Sequence, residues 1–369
     1  MTYKLPAIRV KNHVVWKNPN FDPPFILEKG AESPLGLMLA LSKEEIEKPD
    51  FFLGVRRGHC RTSDIGRITI ADRSGRHYHE IDLKGSGCLT GESHIRSNDE
   101  FPNAIEWQSK WEKTTMLDHV LTKKTLGLLD LSRALHDAEH AERVMCAGIP
   151  TDRILAVIAL DELTGTHDHE ISRFSIEQWK KLWRLNPDFY PAIAVRAFTV
   201  KARIADVITG RNTEQHRALI IKAKHQTQEG HPGCMCGYLE WMVRSVGTHL
   251  GRLHKSGYSH GWMHPQNIAL DASLIDCGSG VSINEINRLQ LESDIMGNPW
   301  SPGALMSLNW LQHRLIQLFP CDARRLRSID VRNFFLENHQ TALGHMIDIP
   351  QRWLREKLPD PCSDWTATA

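Results

Sequence analysis

The chain has 369 residues and a formal net charge of +1, from 45 basic and 44 acidic residues. A chain of this length can bury a large core, and two lobes or domains are expected. The balanced charge gives no general field favouring nucleic acid or an anionic membrane, and no apolar run reaches the length of a membrane span. Eight cysteines without a framework pattern, and an N-terminus without a secretory apolar core, predict a cytoplasmic protein with reduced thiols.

The first half of the chain carries strand signals after an irregular start. The first fifty residues are rich in proline and predict irregular structure. From Gly66 the pattern alternates, and a turn at 73–75 predicts a hairpin whose second strand ends in Lys84, followed by the glycine cluster 85–87. Residues 88–125 are polar with few periodic signals, and we interpret them as a loop or an inserted segment.

Helical periodicity begins after this segment. Apolar residues at steps of three or four predict a helix over residues 126–146, with Glu142 on its buried stripe. Two apolar runs follow, one at 154–160 and one starting at Ala192. Beyond them the chain is mostly helical, with leucine-rich stripes that run from Leu239 to Leu253 and from Leu305 to Leu318.

The most specific pattern lies at residues 260–280. A tight His-Gly turn leads to Asn267, and an apolar run then ends in Asp276-Cys277-Gly278. In protein kinases, a loop of the form H-R-D-x-x-x-x-N and a later D-F-G supply the Asn and Asp that hold magnesium on a nucleotide. His260 and Asn267 have this spacing, whereas Trp262 stands where the catalytic base is expected. The sequence therefore predicts a metal site at Asn267 and Asp276 without the usual base.

The order of these elements predicts the fold class. A β-rich first part with one key helix, followed by a mainly helical part that carries a catalytic-type loop, is typical of the protein kinases. We therefore predict an α+β protein with a bilobal protein-kinase-like fold. The N-lobe is expected over residues 1–200 and the C-lobe over residues 201–369, with the crossing point near 200–205.

Several basic and glycine residues are candidates for nucleotide binding. Lys84 could neutralise phosphate oxygens if Glu142 holds it in place, although exposed lysines are common and the 58-residue separation is long for a kinase. Gly66-Arg67 and Gly85 flank the strands, where glycine lets backbone amides approach phosphate. Small glycine clusters also simply make turns, so their weight comes from their position beside Lys84.

Two further sets of residues are candidates for binding phosphate or a metal ion. Arg196 and Arg203 lie seven residues apart and could clamp a triphosphate, or they could be ordinary salt-bridge partners. Cys234-Met235-Cys236 with His231 suggests zinc at first sight. Its spacing is not that of a standard structural zinc site, and no second pair with ligand spacing follows, so coincidence is the better interpretation.

Taken together, these blocks resemble the SelO (selenoprotein O, YdiU) family of kinase-fold protein adenylyltransferases, and the chain is similar to a shortened, divergent member. The similarity extends from about Gly66 to Leu318, and the order and spacing of the blocks are retained. The matching stretches are LKGSG at 83–87, AERVMCAGIPTDRIL at 141–155, RAFTVKAR at 196–203, HGWMHPQN at 260–267 with the nine-residue step to Asp276, and NWLQHRL at 309–315.

The resemblance implies a function. Members of this family bind ATP in reversed orientation and transfer AMP to a protein Ser, Thr or Tyr hydroxyl. By resemblance, Glu142 would orient Lys84, and Asn267 with Asp276 would bind magnesium, with manganese as an alternative ion. The residues expected at ATP are Gly66, Arg67, Lys84, Gly85, Arg196 and Arg203. Gln266 replaces the Asp that the family has as its proposed base, which is the main departure from the pattern.

Three hypotheses follow from the sequence. The first is an ATP- and Mg²⁺-dependent protein adenylyltransferase whose partners are protein substrates bearing Ser, Thr or Tyr, with no nucleic acid and no membrane. The second is a kinase-like phosphotransferase, because HGWMHPQN also resembles the H-G-D-x-H-x-x-N loop of small-molecule phosphotransferases. The third is a nucleotide-binding or inactive pseudokinase that acts as an interaction module, which the substitution at Gln266 favours.

Overall fold

The computed structural model describes most of the chain, which forms two compact units. The first unit comprises Met1–Ala138 and Arg153–Ala197, and the second comprises Glu139–Asp152 and Phe198–Ala369. The predicted insertion at 88–125 lies outside the described residues. The described residues are 2–23, 25, 28–39, 48–56, 62–86, 128–167, 170–183, 188–209, 212–227, 234–282, 288–298 and 302–344.

An extended sheet forms the body of the first unit. Its strands in the described residues are β1 Thr2–Arg9, β2 Asn12–Lys17, β3 Leu37–Leu39, β4 Phe51–Arg56, β5 Thr62–Gly66, β8 Glu80–Lys84, β9 Leu129–Asp130, β10 Arg153–Leu160 and β13 Pro191–Phe198. The strand order is β2-β10-β13-β8-β5-β4-β1-β3, and β9 also pairs with β13. Lys84 is the last residue of β8, as predicted.

The two apolar runs of the sequence are the neighbouring strands β10 and β13. They pair antiparallel from Arg153↔Ala197 to Ala159↔Ala192, with one register shift after Ile154. Every residue of both strands is buried. Strands that are covered on both faces need continuous apolar sequence rather than alternation, which explains why these runs lack a two-residue period.

The prediction that the first fifty residues are irregular is wrong. Strands β1, β2 and β3 lie within them, and β1 pairs along most of its length with β4, from Thr2↔Arg56 to Ala7↔Phe51. Pro6 is accommodated within β1, although proline cannot donate to a strand ladder. The proline content suggested loops, but pairing with a distant strand decided the structure.

The predicted hairpin is present in a modified form. The short strands β6 (Ile70–Ala71) and β7 (His77–Tyr78) pair across the predicted turn, and β8 continues after them to pair with β5. The Asp72 carboxylate closes the turn by accepting hydrogen bonds from the main-chain amides of Ser74 and Arg76 at 2.9 and 3.0 Å. Asx turns of this kind explain why the Asp-Arg-Ser-Gly sequence reverses the chain here.

The remaining elements of the first unit lie beside the sheet. Helix α1 (Leu131–Cys146) starts later than predicted, because Leu129 and Asp130 pair with β13 as strand β9. The division between the units falls within α1, after Ala138. The residues between the two apolar runs include the hairpin of β11 (Glu162–His167) and β12 (Glu170–Ser175), followed by α2 (Ile176–Trp183).

The second unit is mainly helical, and both leucine-rich stripes are confirmed as helices, α5 (Met235–Lys255) and α7 (Ala304–Leu318). Their buried residues form one core with those of the surrounding helices. A two-stranded ladder of β14 (Tyr258–Ser259) and β15 (Val281–Ser282) brackets the loop at 260–280. The helices are α3 Ile204–Ile208, α4 Thr213–Gln226, α5 Met235–Lys255, α6 Arg288–Met296, α7 Ala304–Leu318, α8 Ala323–Arg327 and α9 Val331–Leu343.

These elements confirm the predicted fold class. The protein is α+β, with a β-rich first unit that carries one key helix and a mainly helical second unit. The order of a strand ending in Lys, a helix bearing a carboxylate, and a loop with Asn and Asp is that of a protein-kinase fold. Among the residues described, none of the helices combines the length and the apolarity needed to cross a membrane.

Helices α5 and α9 approach each other closely in the core of the second unit. A Cβ atom built on Gly247 would lie 2.6 Å from the main-chain oxygen of Phe335, and one on Gly251 would lie 2.4 Å from that of His339. Real Cβ atoms do not tolerate such distances to a rigid backbone. The two glycines are therefore required by helix packing, although glycine lowers helix propensity by roughly 1 kcal/mol relative to alanine.

We expect Gly247→Ala to lower the free energy of unfolding by about 2 kcal/mol, because overpacking outweighs the gain in helix propensity. Urea denaturation followed by circular dichroism measures this change. The control is Ser245→Ala on the same helix, which should change stability by less than about 0.5 kcal/mol. Equal or greater stability of Gly247→Ala would contradict the close packing.

Candidate functional site

Lys84 lies at the end of β8 and is mostly buried. Its Nζ is 3.1 Å from Oδ2 of Asp137, and the two side chains are 12% and 6% exposed. The next residue, Gly85, has φ +113°, and a Cβ there would lie 2.2 Å from the main-chain oxygen of Ala192. Gly85 is thus needed for the close approach of the chain to β13. Whether its amide also contacts a phosphate stays a prediction.

Lys84 forms an ion pair with a carboxylate that the sequence analysis did not select, and the predicted role of Glu142 stays a prediction. The ion pair joins Lys84 to Asp137, five residues before Glu142, and Arg133 Nε lies 2.9 Å from Asp137 Oδ1 as a second ion-pair partner. Glu142 is half-buried and belongs to the second unit. The prediction followed a leucine stripe, but α1 instead buries a face of small and polar residues. These buried residues are Ala134, Asp137, Ala138, His140, Ala141 and Val144.

Arg196 on β13 already holds a carboxylate. Its Nε and Nη2 bind Asp82 Oδ1 and Oδ2 at 2.9 and 3.1 Å, and Nη2 also donates to Thr62 Oγ1 at 3.3 Å. The side chains of Arg196 and Asp82 are only 3% and 0% exposed. A bidentate pair of this kind is strong and geometrically specific. Phosphate would therefore have to compete with Asp82 for this guanidinium.

The other glycine candidates lie at the end of β5. Gly66 is the last residue of the strand, with φ +117°, and its amide donates to Asp64 Oδ1 at 3.0 Å. Arg67 follows and is exposed. This geometry explains why glycine is used there, because a positive φ strains other residues. The predicted contacts of Gly66 and Arg67 with ATP stay predictions.

In the second unit, main-chain bonds bring Asn267 and Asp276 close together. The main-chain amide of Ile275 donates to the main-chain oxygen of Asn267 at 2.9 Å, and Ile268 and Leu274 form an antiparallel bridge. The predicted apolar run is therefore a small hairpin that begins at Asn267 and returns immediately before Asp276. This arrangement makes the two predicted metal-binding residues neighbours.

The Asn267 side chain has a defined orientation. Its Nδ2 donates to the main-chain oxygen of Trp262 at 2.8 Å. Because this bond uses the amide nitrogen, Oδ1 is the atom that Asn267 can offer to a cation. The Trp262 side chain itself is 53% exposed, and it has no acid-base group to serve as the missing catalytic base.

Asp276 adopts a left-handed backbone conformation, with φ 62° and ψ 35°. This conformation costs a non-glycine residue about 1 kcal/mol or more, and such strain is concentrated at functional sites. The Asp276 amide donates to Asp152 Oδ1 at 3.1 Å, and Thr151 Oγ1 donates to the same oxygen at 3.2 Å. Asp152, which the sequence analysis did not select, is therefore the residue that supports the strained loop.

A buried carboxylate, Asp294 of α6, holds the start of the loop. It is 0% exposed and accepts the amides of His260 and Gly261 at 2.7 and 3.0 Å. Ser259 Oγ and His254 Nε2 also donate to it, at 2.7 and 3.2 Å. Burial raises the pKa of Asp294, but the hydrogen bond and charge of His254 outweigh burial and hold this pKa below its usual range.

Two histidines extend this network. His260 Nε2 donates to the main-chain oxygen of Ile275 at 2.9 Å, which ties the start of the loop to the residue before Asp276. His254 Nδ1 lies 2.9 Å from His339 Nε2 on α9. In the neutral tautomer of His254 that donates from Nε2 to Asp294, Nδ1 can accept a hydrogen bond from His339 Nε2.

His264 and Arg203 shape the end of the loop. His264 Nδ1 accepts a hydrogen bond from the main-chain amide of Gln266 at 3.2 Å, and Arg203 Nη1 donates to the main-chain oxygen of Gln266 at 2.7 Å. Burial, together with the nearby charges of His260 and Arg203, lowers the pKa of His264 to about 4. His264 is therefore neutral at physiological pH, and the Arg203 contact with the loop is a positioning contact that the sequence analysis did not foresee.

Comparisons with known proteins add fold-level likenesses only. No protein-family model and no curated protein matches the chain. A Toxoplasma gondii specific rhoptry antigen kinase domain is 9% identical, covering 78% of this chain and 76% of its own, with a TM-score of 0.27. WaaP in complex with acyl carrier protein is 13% identical over 79% of this chain and 86% of its own, with a TM-score of 0.27.

A third solved structure is ROP2 from Toxoplasma gondii, described as a virulence factor with a protein-kinase fold and no enzymatic activity. It is 10% identical, covering 84% of this chain and 79% of its own, with a TM-score of 0.31. At such TM-scores these likenesses carry no argument. The kinase-like assignment therefore rests on the elements and residues of the chain itself.

We expect Asp294→Asn to lower the free energy of unfolding by about 3 kcal/mol at neutral pH, because it leaves buried donors without their charged acceptor. A lowered carboxyl pKa stabilises the fold above the unfolded pKa of about 4, and this contribution is lost as pH falls through the folded value. The difference between wild type and variant should therefore shrink on acidification. Urea denaturation at several pH values, with Glu292→Gln on the same helix as a control, measures it.

We expect His264 to make the fold acid-sensitive. Its folded pKa of about 4 lies below the ordinary value of 6.5, so the unfolded state binds more protons between these values and stability rises with pH across this window. His264→Asn keeps an acceptor for the Gln266 amide. Between pH 7 and 4.5 the wild type should lose on the order of 2 kcal/mol more than this variant. Equal losses in urea denaturation would refute the assignment.

Proposed function

We propose that the chain is an ATP- and magnesium-dependent protein adenylyltransferase of the SelO type. The observation that carries the proposal is that a main-chain bond from Ile275 to Asn267 places the backbones of Asn267 and Asp276 next to each other, beside a loop without a catalytic acid. A loop that lacks a base but retains two oxygen ligands suits chemistry that depends on positioning and charge neutralisation.

The donor set fits magnesium. Mg²⁺ is usually bound by one or two protein oxygen ligands together with phosphate oxygens and water. The Asn267 carbonyl oxygen and the Asp276 carboxylate are two such ligands. Among the described residues, no group of three or more His, Cys, Asp or Glu residues that could hold a metal ion is found. When bound, the ion would supply neutralisation of phosphate charge.

The chain's own residues would supply the remaining parts of the reaction. Lys84, kept in place by Asp137, would neutralise phosphate oxygens, and Arg203 would hold the loop through the Gln266 oxygen. A protein Ser, Thr or Tyr oxygen would attack the α-phosphorus, the bond between the α-phosphorus and the bridging oxygen would break, and pyrophosphate would leave. The hydroxyl proton would pass to solvent, because Gln266 cannot accept it at neutral pH.

A nucleotide-binding but inactive pseudokinase is the second candidate. Two observations favour it. The guanidinium of Arg196 is occupied by Asp82, and both positions where related enzymes have an acid carry Trp262 and Gln266. In this case Lys84, Asn267 and Asp276 would bind nucleotide without transfer. A kinase-like phosphotransferase would use the same residues with ATP in the ordinary orientation. Labelled ATP distinguishes it from an adenylyltransferase, because the γ-phosphate rather than AMP would be transferred.

The experiment uses ATP labelled at either the α- or the γ-phosphate. We expect purified protein with magnesium to incorporate label from the α-position into itself or into an added protein mixture, and not from the γ-position. Label from γ only would show phosphorylation and overturn the proposal. An ATP-dependent thermal shift without either label would support the inactive nucleotide-binding candidate.

Variants test the assigned roles. Asp276→Ala should reduce transfer at least about 100-fold, because a ligand for magnesium is lost, whereas Gln266→Ala should change it less than about threefold. Glu337→Ala removes an exposed carboxylate of the same unit and is the matched control. The melting temperature of each variant shows that it is folded. A large loss from Gln266→Ala would mean that this side chain takes part in the chemistry.

A further inference from the structure

Trp262 is the one exposed residue of the loop at 260–267. It is 53% exposed, whereas the other residues of this loop, which the structure describes in full, are buried or half-buried. Single exposed aromatic residues are common on protein surfaces and need no explanation by themselves. The meaning of Trp262 therefore depends on how the loop holds it and on the position that it occupies.

The main chain of Trp262 is fixed on both sides. Its amide donates to His260 Nδ1 at 3.4 Å, and its carbonyl oxygen accepts a hydrogen bond from Asn267 Nδ2 at 2.8 Å. The second bond joins Trp262 to the side chain whose Oδ1 is a candidate cation ligand. An aromatic residue on a fixed main chain loses little conformational freedom when it binds a partner. The indole is therefore a preformed apolar contact on this loop.

The position of Trp262 relates it to the acceptor of the transferred group. In protein kinases, the residue two after the loop histidine is the base that accepts the proton of the substrate hydroxyl. The spacing from His260 to Asn267 is that of the kinase loop, so residue 262 occupies the position of this base. In a loop of this form the side chain at 262 faces the acceptor. Here an aromatic ring takes the place of a carboxylate.

The loop offers no other general base. His260 Nε2 donates to the main-chain oxygen of Ile275, and its remaining nitrogen accepts the amide of Trp262. His264 Nδ1 accepts the main-chain amide of Gln266, so in the neutral ring Nε2 carries the proton. In both rings the nitrogen that could take a proton is already bonded to a main-chain amide. The side chains of Trp262 and Gln266 accept no proton at neutral pH.

An acceptor hydroxyl that receives no help from a base has to ionise by itself. A phenol has a pKa of about 10, so about one tyrosine in a thousand is ionised at pH 7. Serine and threonine hydroxyls do not ionise in the pH range that proteins tolerate. Aromatic rings also pack favourably against an indole, in stacked or edge-to-face arrangements. The missing base and the exposed ring therefore favour the same acceptor.

We propose that the acceptor is a protein tyrosine and that Trp262 binds its ring. The proposal rests on the transferase function proposed above and narrows its substrate class from hydroxyl side chains to phenols. The phenol proton dissociates to solvent, and the phenolate oxygen attacks the α-phosphorus of ATP. An O–P bond forms while the bond between the α-phosphorus and the bridging oxygen breaks, and pyrophosphate leaves. The product is an O-adenylyl tyrosine, and no further reactant is needed.

Degenerate peptide pools test the acceptor class. The pools are identical except for a fixed central tyrosine, serine, threonine or phenylalanine, and no other position carries a hydroxyl side chain. The protein is incubated with magnesium, each pool and ATP labelled at the α-phosphate. We expect the tyrosine pool to take up label at least about tenfold faster than the serine and threonine pools, and the phenylalanine pool to take up none.

The outcomes distinguish this proposal from the proposed function. Equal or faster labelling of the serine or threonine pool would refute the tyrosine assignment and leave the adenylyltransferase in place. If only the protein itself is labelled, mass spectrometry locates the AMP: AMP on tyrosine supports the assignment, and AMP on serine or threonine refutes it. No α-label in any pool or in the protein would refute the transferase function, and this proposal with it.

Two variants test the role of Trp262. Trp262→Ala should raise the KM for a tyrosine peptide about tenfold and change kcat less than about threefold, because binding of the ring is lost. Trp262→Phe keeps an aromatic ring, and its KM should stay within about threefold of the wild-type value. Phe52→Ala is the matched control, because Phe52 is also 53% exposed and lies on β4 of the first unit. An unchanged KM for the peptide in Trp262→Ala, or no rescue by Trp262→Phe, would overturn the binding role.

The pH dependence tests the unassisted phenol. Without a base in the loop, kcat/KM for the tyrosine peptide should rise about tenfold per pH unit between about pH 6.5 and 8.5, as the phenolate fraction does. Trp262→Ala should keep this slope, since the ring binds the acceptor and does not take its proton. A general base would make the rate level off above the pKa of that base. A plateau within this range is therefore the result that rules out the base-free reaction.

Discussion

The loop at 259–276 depends on one buried carboxylate. Asp294 accepts bonds from two main-chain amides, one hydroxyl and one imidazole, and it is completely excluded from solvent. A buried charge is tolerated only when its hydrogen-bonding capacity is satisfied, and here the donors all come from the loop and from the helix that precedes it. The amides of His260 and Gly261 can donate to Asp294 only in the conformation that the His-Gly turn adopts, so the hydrogen bonds of this carboxylate also fix the turn.

The order imposed by Asp294 passes to the candidate metal ligands through short bonds. His260 links the turn to Ile275, and Ile275 is bonded to Asn267. The strained backbone of Asp276 is supported separately by Asp152. Asp294, His260 and Asp152, which maintain the shape of this site, are not among the residues expected to meet a nucleotide. Such preorganisation can survive the loss of a catalytic base, which is why the substitutions at 262 and 266 leave the loop intact.

Local signals identified some of these residues and missed others. The positions of Lys84, Asn267 and Asp276 could be inferred because each follows a strand or a turn whose pattern is visible over a few neighbouring residues. Asp137 was missed because the leucines of α1 suggested a different buried face from the one formed by its alanines. Asp152 and Asp294 were missed because they are far from their donors in the sequence. Asp152 lies 124 residues from Asp276, and Asp294 lies 34 residues from His260.

The sequence by itself determined the α+β class, the two leucine-rich helices of the second unit, the strand that ends in Lys84 and the spacing of the loop residues. These features depend on local periodicity and turn chemistry, which short windows of sequence encode. Only the tertiary structure decided that the proline-rich start forms strands, that Lys84 pairs with Asp137, and that Arg196 is occupied by Asp82. The physical reason is that strand pairing and buried ion pairs join residues far apart in the chain, where the sequence pattern carries no information about the partner.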